Sequence, residues 1–237
     1  MNVFKSLNYL NKNSEESKEA KRITDKLRSN DIIANEILKS LENEKTRVVL
    51  DSDIKNSYYV FFKDTIYISN REKNNGFHRC ILVAHECVHS IQSKIIQVIN
   101  FVLSNIELVA FITCLIFSII FRNNDITYIY LGILLLSIIP RLYLELHAVF
   151  NSIKVANKYI REKLDEKEAT LLNNIYKNQI SFLFPFSIIP LFSKKILRGV
   201  IIFAINYFLW FIIKNMLFFI KTNDIIIMHK IDSKRHM

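Results

Sequence analysis

The sequence predicts a mainly α-helical protein in which a small α+β part precedes transmembrane helical hairpins. The chain has 237 residues but only three Gly and three Pro, and so few helix breakers favour long helices. Near the N-terminus, the stretch TRVVLDSDIKNSYYVFFKDTIYISN is rich in Val, Ile, Tyr and Phe with small polar breaks, which is typical of short strands. Two apolar runs of about twenty residues follow, long enough to cross a hydrocarbon core of roughly 30 Å.

Two helices, a strand region and a third helix are predicted in the part that precedes the apolar runs. The stretches EESKEAKRITDKLRS and NDIIANEILKSLEN have apolar residues at helical spacing, and Asn30 is the predicted N-cap of the second. Two or three short strands come next, the last two forming a hairpin around Lys63 and Asp64. After the loop REKNNG, a third helix is predicted to begin near Phe77.

Charge and cysteine usage narrow the expected partners. The formal net charge is +10, but Lys and Arg are interleaved with acids, so a lipid bilayer is the expected partner and nucleic acid is not. The three cysteines show no disulfide or metal-cluster spacing, and Cys87 is expected to be a small packing residue. The polar N-terminus lacks the pattern of a secretory signal peptide.

The stretch ILVAHECVHSIQS, from Ile81 to Ser93, contains the pattern His-Glu-x-x-His. On an α-helix, His85 and His89 share one face, and neutral imidazole is a good zinc ligand. Glu86 lies one position round the helix, where its carboxylate can act as a general base toward a water molecule. The alternative is a helix whose two histidines are surface residues without a common role.

The apolar runs predict a tight transmembrane hairpin. They read FVLSNIELVAFITCLIFSIIF from Phe101 and ITYIYLGILLLSIIPRLYL from Ile126, with only RNND between them. Glu107 weakens the first span unless it lies near the interface or faces the protein interior. The alternative is a buried helical pair of a soluble protein. A second apolar block follows, with SFLFPFSIIPLF as a spanning, re-entrant or interfacial stretch and GVIIFAINYFLWFIIKNMLFFI as a spanning candidate.

A hairpin returns the chain to the membrane face that it left, which brings a later helix near the motif. The stretch RLYLELHAVFNSIKVANKYIREKLDEKEA has a helical pattern, and Glu145 emerges close to where the motif helix ended. Two histidines with a glutamate from a later helix form a known zinc site. His147 competes with Glu145, because two residues make roughly a 200° turn and both cannot face one metal. An ion pair between Glu145 and Arg141 is the other alternative, and spacing leaves the choice open.

The predicted organisation has five parts. They are a soluble α+β part with the motif helix (1–94), a transmembrane hairpin (95–144), a helix with the third ligand (145–178), a second apolar membrane block (179–220) and a polar tail (221–237).

These residues resemble a known family. HECVHSIQ resembles the HEVGHAIQ-type motif of the YugP-like neutral zinc metallopeptidases of bacterial membranes, and LYLELHAVFNSIKVA is similar to that family's second motif. The resemblance implies that His85 and His89 bind zinc, that Glu86 is the catalytic glutamate, and that Glu145 is the third ligand. It also matches Gln92 to the glutamine that closes the first motif. The Glu-x-x-Ala pattern that begins at Glu145 is similar to the wider HtpX and CAAX-protease group of membrane zincins.

The resemblance covers residues 4–191 and has three departures. Val88 stands where the family usually has Gly, which crowds the back of the motif helix but removes no ligand. His147 stands where Asp is usual, so the resemblance implies no role for the residue at that position. No membrane span precedes the matching region, so either the start is truncated or attachment rests on the later spans.

The resulting interpretation is a membrane-bound zinc metallopeptidase, a hydrolase with a zincin-like domain that cleaves a peptide or protein substrate. The predicted site residues are His85, His89 and Glu145 as zinc ligands, Glu86 as catalytic base and later proton donor, and Gln92, His147 and Tyr143 beside them. One edge of the strand region is expected to pair with an extended substrate. The alternatives are an HtpX or CAAX-type membrane zinc protease and a non-catalytic scaffold that retains zinc.

The last expectation is a multi-pass protein of the cell membrane with its site on the cytoplasmic side. Four positive residues flank that side of the hairpin: Lys94, Arg141, Lys154 and Lys158. The hairpin turn offers only Arg122, beside Asp125, and positive charge favours the cytoplasm. The basic segment SKKILR stays inside if SFLFPFSIIPLF dips into the interface and returns. The final span then places the basic tail outside.

Overall fold

The computed structural model describes residues 15–69, 76–121, 124–177 and 192–208, together with residues 211 and 215. Over these residues the protein is mostly helical and has one small three-stranded sheet, which confirms the predicted fold class at this level. The predictions for the extreme N-terminus, the loop before the motif helix, the Pro-containing apolar stretch and the C-terminal tail concern residues outside these ranges.

Ten elements follow one another among the described residues. They are α1 (Glu15–Thr24), α2 (Asn30–Ser40), β1 (Arg47–Asp51), β2 (Tyr58–Val60), β3 (Thr65–Ser69), α3 (Arg79–Ile91), α4 (Lys94–Phe121), α5 (Asn124–Lys163), α6 (166–177) and α7 (192–208). They form two compact units, the first from residues 1–101 and 139–190 and the second from 102–138 and 191–237.

The core of the first unit is built on the apolar face of α3. Residues at helical spacing on this face are buried: Cys80, Val83, Ala84 and Cys87. They belong to one cluster with apolar residues of α1, α2, β3, α5 and α6. Cys87 is fully buried against the Ala34 carbonyl oxygen, 3.7 Å from its Sγ, which confirms its expected packing role. The motif histidines therefore lie on the helix face that is turned away from this core.

The sheet has the order β1–β3–β2. β3 is its central strand, parallel to β1 and antiparallel to β2, and the β2–β3 pairing confirms the predicted hairpin. Its turn ends at Asp64, whose φ of 45° is in the left-handed region that Asp tolerates better than most residues. Among the described residues, β2 therefore lies at an edge of the sheet and pairs with β3 on one side.

The predicted N-cap of α2 is wrong by one residue. α2 begins at Asn30, and Ser29 occupies the cap position. The Asn30 side chain is buried, and its Oδ1 accepts a hydrogen bond of 3.1 Å from the guanidinium of Arg79. That guanidinium also donates to three backbone carbonyls in and after α1. Asn30 is thus used to hold the first residue of α3, a long-range contact that local patterns do not reveal.

Two helices, Lys94–Phe121 and Asp125–Lys163, are long and apolar enough to cross a membrane. The second belongs to α5, which continues through Pro140 as one helix, so the predicted boundary between residues 144 and 145 falls inside it. Within the second unit, Glu107 of α4 is fully buried. It accepts a hydrogen bond of 2.6 Å from the Tyr130 hydroxyl and pairs with Arg198 at 3.1 Å, so it faces the protein interior.

Polar contacts also set the direction of α7 in the second unit. Lys195 near its start donates to Ser104 Oγ at 3.3 Å, and Asn206 near its end donates to Ser118 Oγ at 2.8 Å. Because both pairs follow the same order along α4, α7 runs in the same direction as α4.

Candidate metal centre

Three side chains converge between α3 and α5. The Nε2 atoms of His85 and His89 lie 3.0 Å apart, and Glu145 Oε2 lies 3.5 Å from the first and 3.8 Å from the second. Ligand atoms around a tetrahedral ion with bonds of about 2.0–2.1 Å are about 3.3 Å apart, close to all three distances. The three groups could therefore hold one metal ion. The helical spacing and the later helix bring these three side chains together, as the sequence suggested.

The three side chains are mostly enclosed but not sealed. His85 keeps 21% of its side-chain surface exposed, and His89 and Glu145 keep 15% each. Such partial burial strengthens electrostatic interactions within the group and still leaves access from outside. A catalytic metal needs this access for water and substrate, whereas a purely structural metal does not.

Arg141 holds Glu145 from the side away from the histidines. Its Nη2 donates to Glu145 Oε1 at 2.8 Å, four residues apart on α5, while Oε2 faces the two imidazoles. The ion pair and the ligand role, which spacing presented as alternatives, are therefore compatible. With Oε1 paired to the guanidinium, Oε2 is the oxygen that faces the histidine pair.

Gln92 fixes the tautomer of His89. Its Nε2 donates to the backbone carbonyl of Leu144 at 2.7 Å, and a carbonyl can only accept. The opposite end of the amide, Oε1, lies 2.8 Å from His89 Nδ1 and must therefore accept a proton from it. With hydrogen on Nδ1, a neutral His89 has a lone pair on Nε2, the nitrogen that faces His85 and Glu145. The amide of Gln92 thus prepares His89 as a ligand and joins α3 to the turn of α5 that bears Glu145.

His147 and Tyr143 lie next to the ligand group but outside it. His147 Nδ1 is 3.2 Å from Gln92 Nε2. The rings of His147 and Tyr143 stack with their centroids 6.1 Å apart. Tyr143 is 51% exposed. Among the described residues, the group that could hold a metal contains Glu145 and not His147, as the 200° separation between the two positions requires.

Glu86 occupies a different environment from the three side chains that could hold a metal. Burial raises the pKa of its carboxyl to about 7, although the positive charge of His85 acts in the opposite direction. The backbone amide of Tyr59 in β2 donates a hydrogen bond to this carboxyl. A carboxylate whose pKa lies near neutrality is suited to take up and return a proton, and the amide holds it at the edge of the sheet.

The two histidines differ in their affinity for a proton. Burial lowers the pKa of His85, but the hydrogen bond with Glu145 and the negative charges nearby outweigh it, so its pKa is raised overall. Burial and the charge of His85 together lower the pKa of His89 to about 4. A proton on the pair therefore resides on His85, beside the carboxylate, while His89 stays neutral and able to act as a ligand.

Two groups that contact residues of the candidate site were not predicted from the sequence. Gln97, in the first turns of α4, is buried and donates to the His89 carbonyl oxygen at 2.8 Å. The Tyr59 amide at Glu86 is a backbone group, so no side-chain pattern can point to it. The signal for Gln97 was an amide within an otherwise apolar helix start, where a buried polar group needs a partner.

No protein-family model, curated protein or solved structure matches the chain. The family resemblance and the activity that it implies therefore depend on the motif residues themselves.

Proposed function

We propose that the protein is a membrane-bound zinc metallopeptidase with a zincin-like catalytic part. One observation carries the proposal: two imidazole nitrogens and one carboxylate oxygen from two helices lie 3.0 to 3.8 Å apart, beside a glutamate outside the ligand group. That division into three ligands and one base is what hydrolysis at a zinc ion requires.

The donor set favours zinc over other ions. Two neutral imidazoles with one carboxylate suit a borderline-soft ion, whereas magnesium and calcium prefer oxygen ligands in larger number. His85, His89 and Glu145 would hold the ion. When bound, zinc supplies a Lewis acid that lowers the pKa of water and polarises the scissile carbonyl.

Glu86 performs the proton transfers in this proposal. Its carboxylate takes a proton from the attacking water and returns it to the amine leaving group. Because Glu86 lies outside the group that could hold the metal, its carboxylate can take up and return a proton without giving up a bond to the ion. The Tyr59 amide keeps the carboxylate in place between the two steps.

The edge strand β2 offers a binding surface for an extended substrate. Its inner side pairs with β3, and its Tyr59 amide points to Glu86 on the outer side. A polypeptide added along this outer side would form hydrogen bonds with backbone groups other than the Tyr59 amide, and would pass next to the catalytic carboxylate. Binding of this kind depends little on substrate sequence.

The enzyme is proposed to be a multi-pass membrane protein with its site facing the cytoplasm. Support comes from the charge bias at the hairpin ends and from Lys195 in SKKILR, whose contact with Ser104 places that segment toward the start of α4. Single cysteines introduced at Asn74 and Asn123 test the sidedness in intact cells with an impermeant reagent. Labelling at Asn123 alone supports the proposal, and labelling at Asn74 alone contradicts it.

Peptide hydrolysis in lipid nanodiscs tests the activity. The purified protein should cleave a fluorogenic peptide library, lose activity on chelation and regain it when zinc is restored. Glu86→Gln should be inactive, whereas Glu44→Gln, which removes an exposed glutamate that does not belong to the group that could hold a metal, should keep full activity. Equal cleavage by both variants would show that the motif is not responsible.

A further inference from the structure

The turn between β2 and β3 carries an exposed cluster of aromatic rings. Phe62 is 65% exposed, and its ring centroid lies 3.8 Å from that of Phe61 and 4.9 Å from that of Phe101 in α4. The ring of Phe61 also lies 6.2 Å from Phe101. These three rings, here named the aromatic tip, join the end of a β-hairpin to the start of an apolar helix. Leaving large aromatic side chains exposed to water at a hairpin end is unfavourable in free energy.

A polar contact between the end of the turn and the start of α4 fixes the position of the aromatic tip along this helix. Lys94, the first residue of α4, donates to Asp64 Oδ1 at 3.1 Å, and its ammonium also contacts the Tyr59 hydroxyl. The same Asp64 oxygen accepts from that hydroxyl at 2.7 Å. Phe101 lies seven residues after Lys94, about 10 Å further along the helix axis. The hairpin end therefore lies along the first turns of α4, with a charged contact at Lys94 and an apolar contact at Phe101.

We infer that the aromatic tip is inserted into the interfacial layer of the lipid bilayer. Lipid is the occupant because the tip is continuous with apolar side chains exposed on the first turns of α4: Ile95, Val98, Ile99 and Val102. α4 is itself long and apolar enough to cross a membrane. Aromatic residues concentrate at membrane interfaces, and interfacial elements reach about 5–10 Å into them. Lys94 then lies at the level of the headgroups, where anionic lipids attract a cation.

The position of the aromatic tip in the membrane interface indicates a substrate class, and this part of the inference rests on the proposed function. β2 leads directly into the turn, and the Tyr59 amide of β2 holds the Glu86 carboxyl. A tip in the interface keeps the outer side of β2 at the membrane surface. The polypeptide segments that reach it most readily are those that directly follow or precede a transmembrane helix of another protein. The enzyme would therefore cleave membrane proteins at the surface of the bilayer in preference to soluble peptides.

Depth-dependent fluorescence quenching tests the membrane contact independently of activity. The full chain with Trp210→Phe, which removes its one tryptophan, would carry Phe62→Trp and be reconstituted in phosphatidylcholine and phosphatidylglycerol vesicles with acyl-brominated lipid. Trp at position 62 should be quenched strongly. Leu50→Trp is the control, because Leu50 is 48% exposed on the opposite edge strand and should stay unquenched. Equal, weak quenching at both positions would overturn the inference.

A pair of substrates tests the consequence for cleavage. One carries a cleavable sequence directly after a transmembrane helix in the same vesicles, and the other is a soluble peptide of that sequence. Phe61→Ser with Phe62→Ser should lower cleavage of the first severalfold and leave the second unchanged. Equal loss on both substrates would contradict the inferred substrate class. If the wild type cleaves neither substrate, the proposed function fails, while the quenching result still decides the membrane contact.

Discussion

Gln92 Nε2 donates to the Leu144 carbonyl at 2.7 Å, and its Oε1 accepts from His89 Nδ1, so one amide joins the motif helix to the residue before Glu145. This link aligns the candidate ligands from α3 and α5 and leaves the lone pair of His89 on Nε2. Groups that orient metal ligands in this way matter for affinity almost as much as the ligands do.

Replacing Gln92 should therefore weaken metal binding without removing a ligand. Gln92→Leu loses both hydrogen bonds and should lower zinc affinity about 10–100-fold, measured by competition with a fluorescent chelator. Ser93→Ala, at the exposed neighbouring position, is the matched control and should leave affinity unchanged. Unchanged affinity in Gln92→Leu would mean that the amide has no orienting role.

The raised pKa of Glu86 predicts a pH-dependent stability of the metal-free protein. Between the ordinary carboxyl pKa and about 7, the folded protein keeps a proton on Glu86 that the unfolded chain has released. Raising the pH through this window therefore favours unfolding, because the unfolded state binds fewer protons. Glu86→Gln abolishes this titration, so its advantage in melting temperature over the wild type should grow between about pH 5 and about pH 8. An advantage that does not change with pH would show that burial does not raise this pKa.

The ion pair within the second unit should be strongly coupled. Glu107→Gln keeps an acceptor for the Tyr130 hydroxyl but leaves Arg198 without its carboxylate. Loss of one partner of a buried pair costs about 3–5 kcal/mol of unfolding free energy, measured in detergent micelles. The double variant Glu107→Gln with Arg198→Gln should lose less than the sum of the two single changes. Strict additivity would show that the two charges do not interact.

The sequence predicted the elements that local patterns determine. The spacing of the motif residues and the apolar and aromatic strand residues around Lys63 and Asp64 were enough to place two histidines on one helix face and a hairpin. Each of these depends on residues close together in the chain.

Most contacts between distant segments could not be predicted from the sequence, and the approach of Glu145 to the motif helix, which the apolar hairpin suggested, is an exception. The parallel pairing of β1 with β3, the use of Asn30 by Arg79 and the link from Gln92 to Leu144 all join parts of the chain that no local period relates. From the sequence, Glu145 and His147 differ only in their angle around α5, and each lies on a helix face that has polar groups. Which of them joins the two histidines depends on which face of α5 packs toward α3.

Metal content and hydrolysis measured on one set of variants test the central claim most directly. Wild type and Glu86→Gln should each bind about one zinc ion per chain by plasma mass spectrometry, and the second should not cleave peptides. His85→Ala, His89→Ala and Glu145→Ala should each lose most of the zinc, while His147→Ala should retain it. Retention of zinc by Glu145→Ala together with its loss from His147→Ala, or cleavage by Glu86→Gln, would contradict the account.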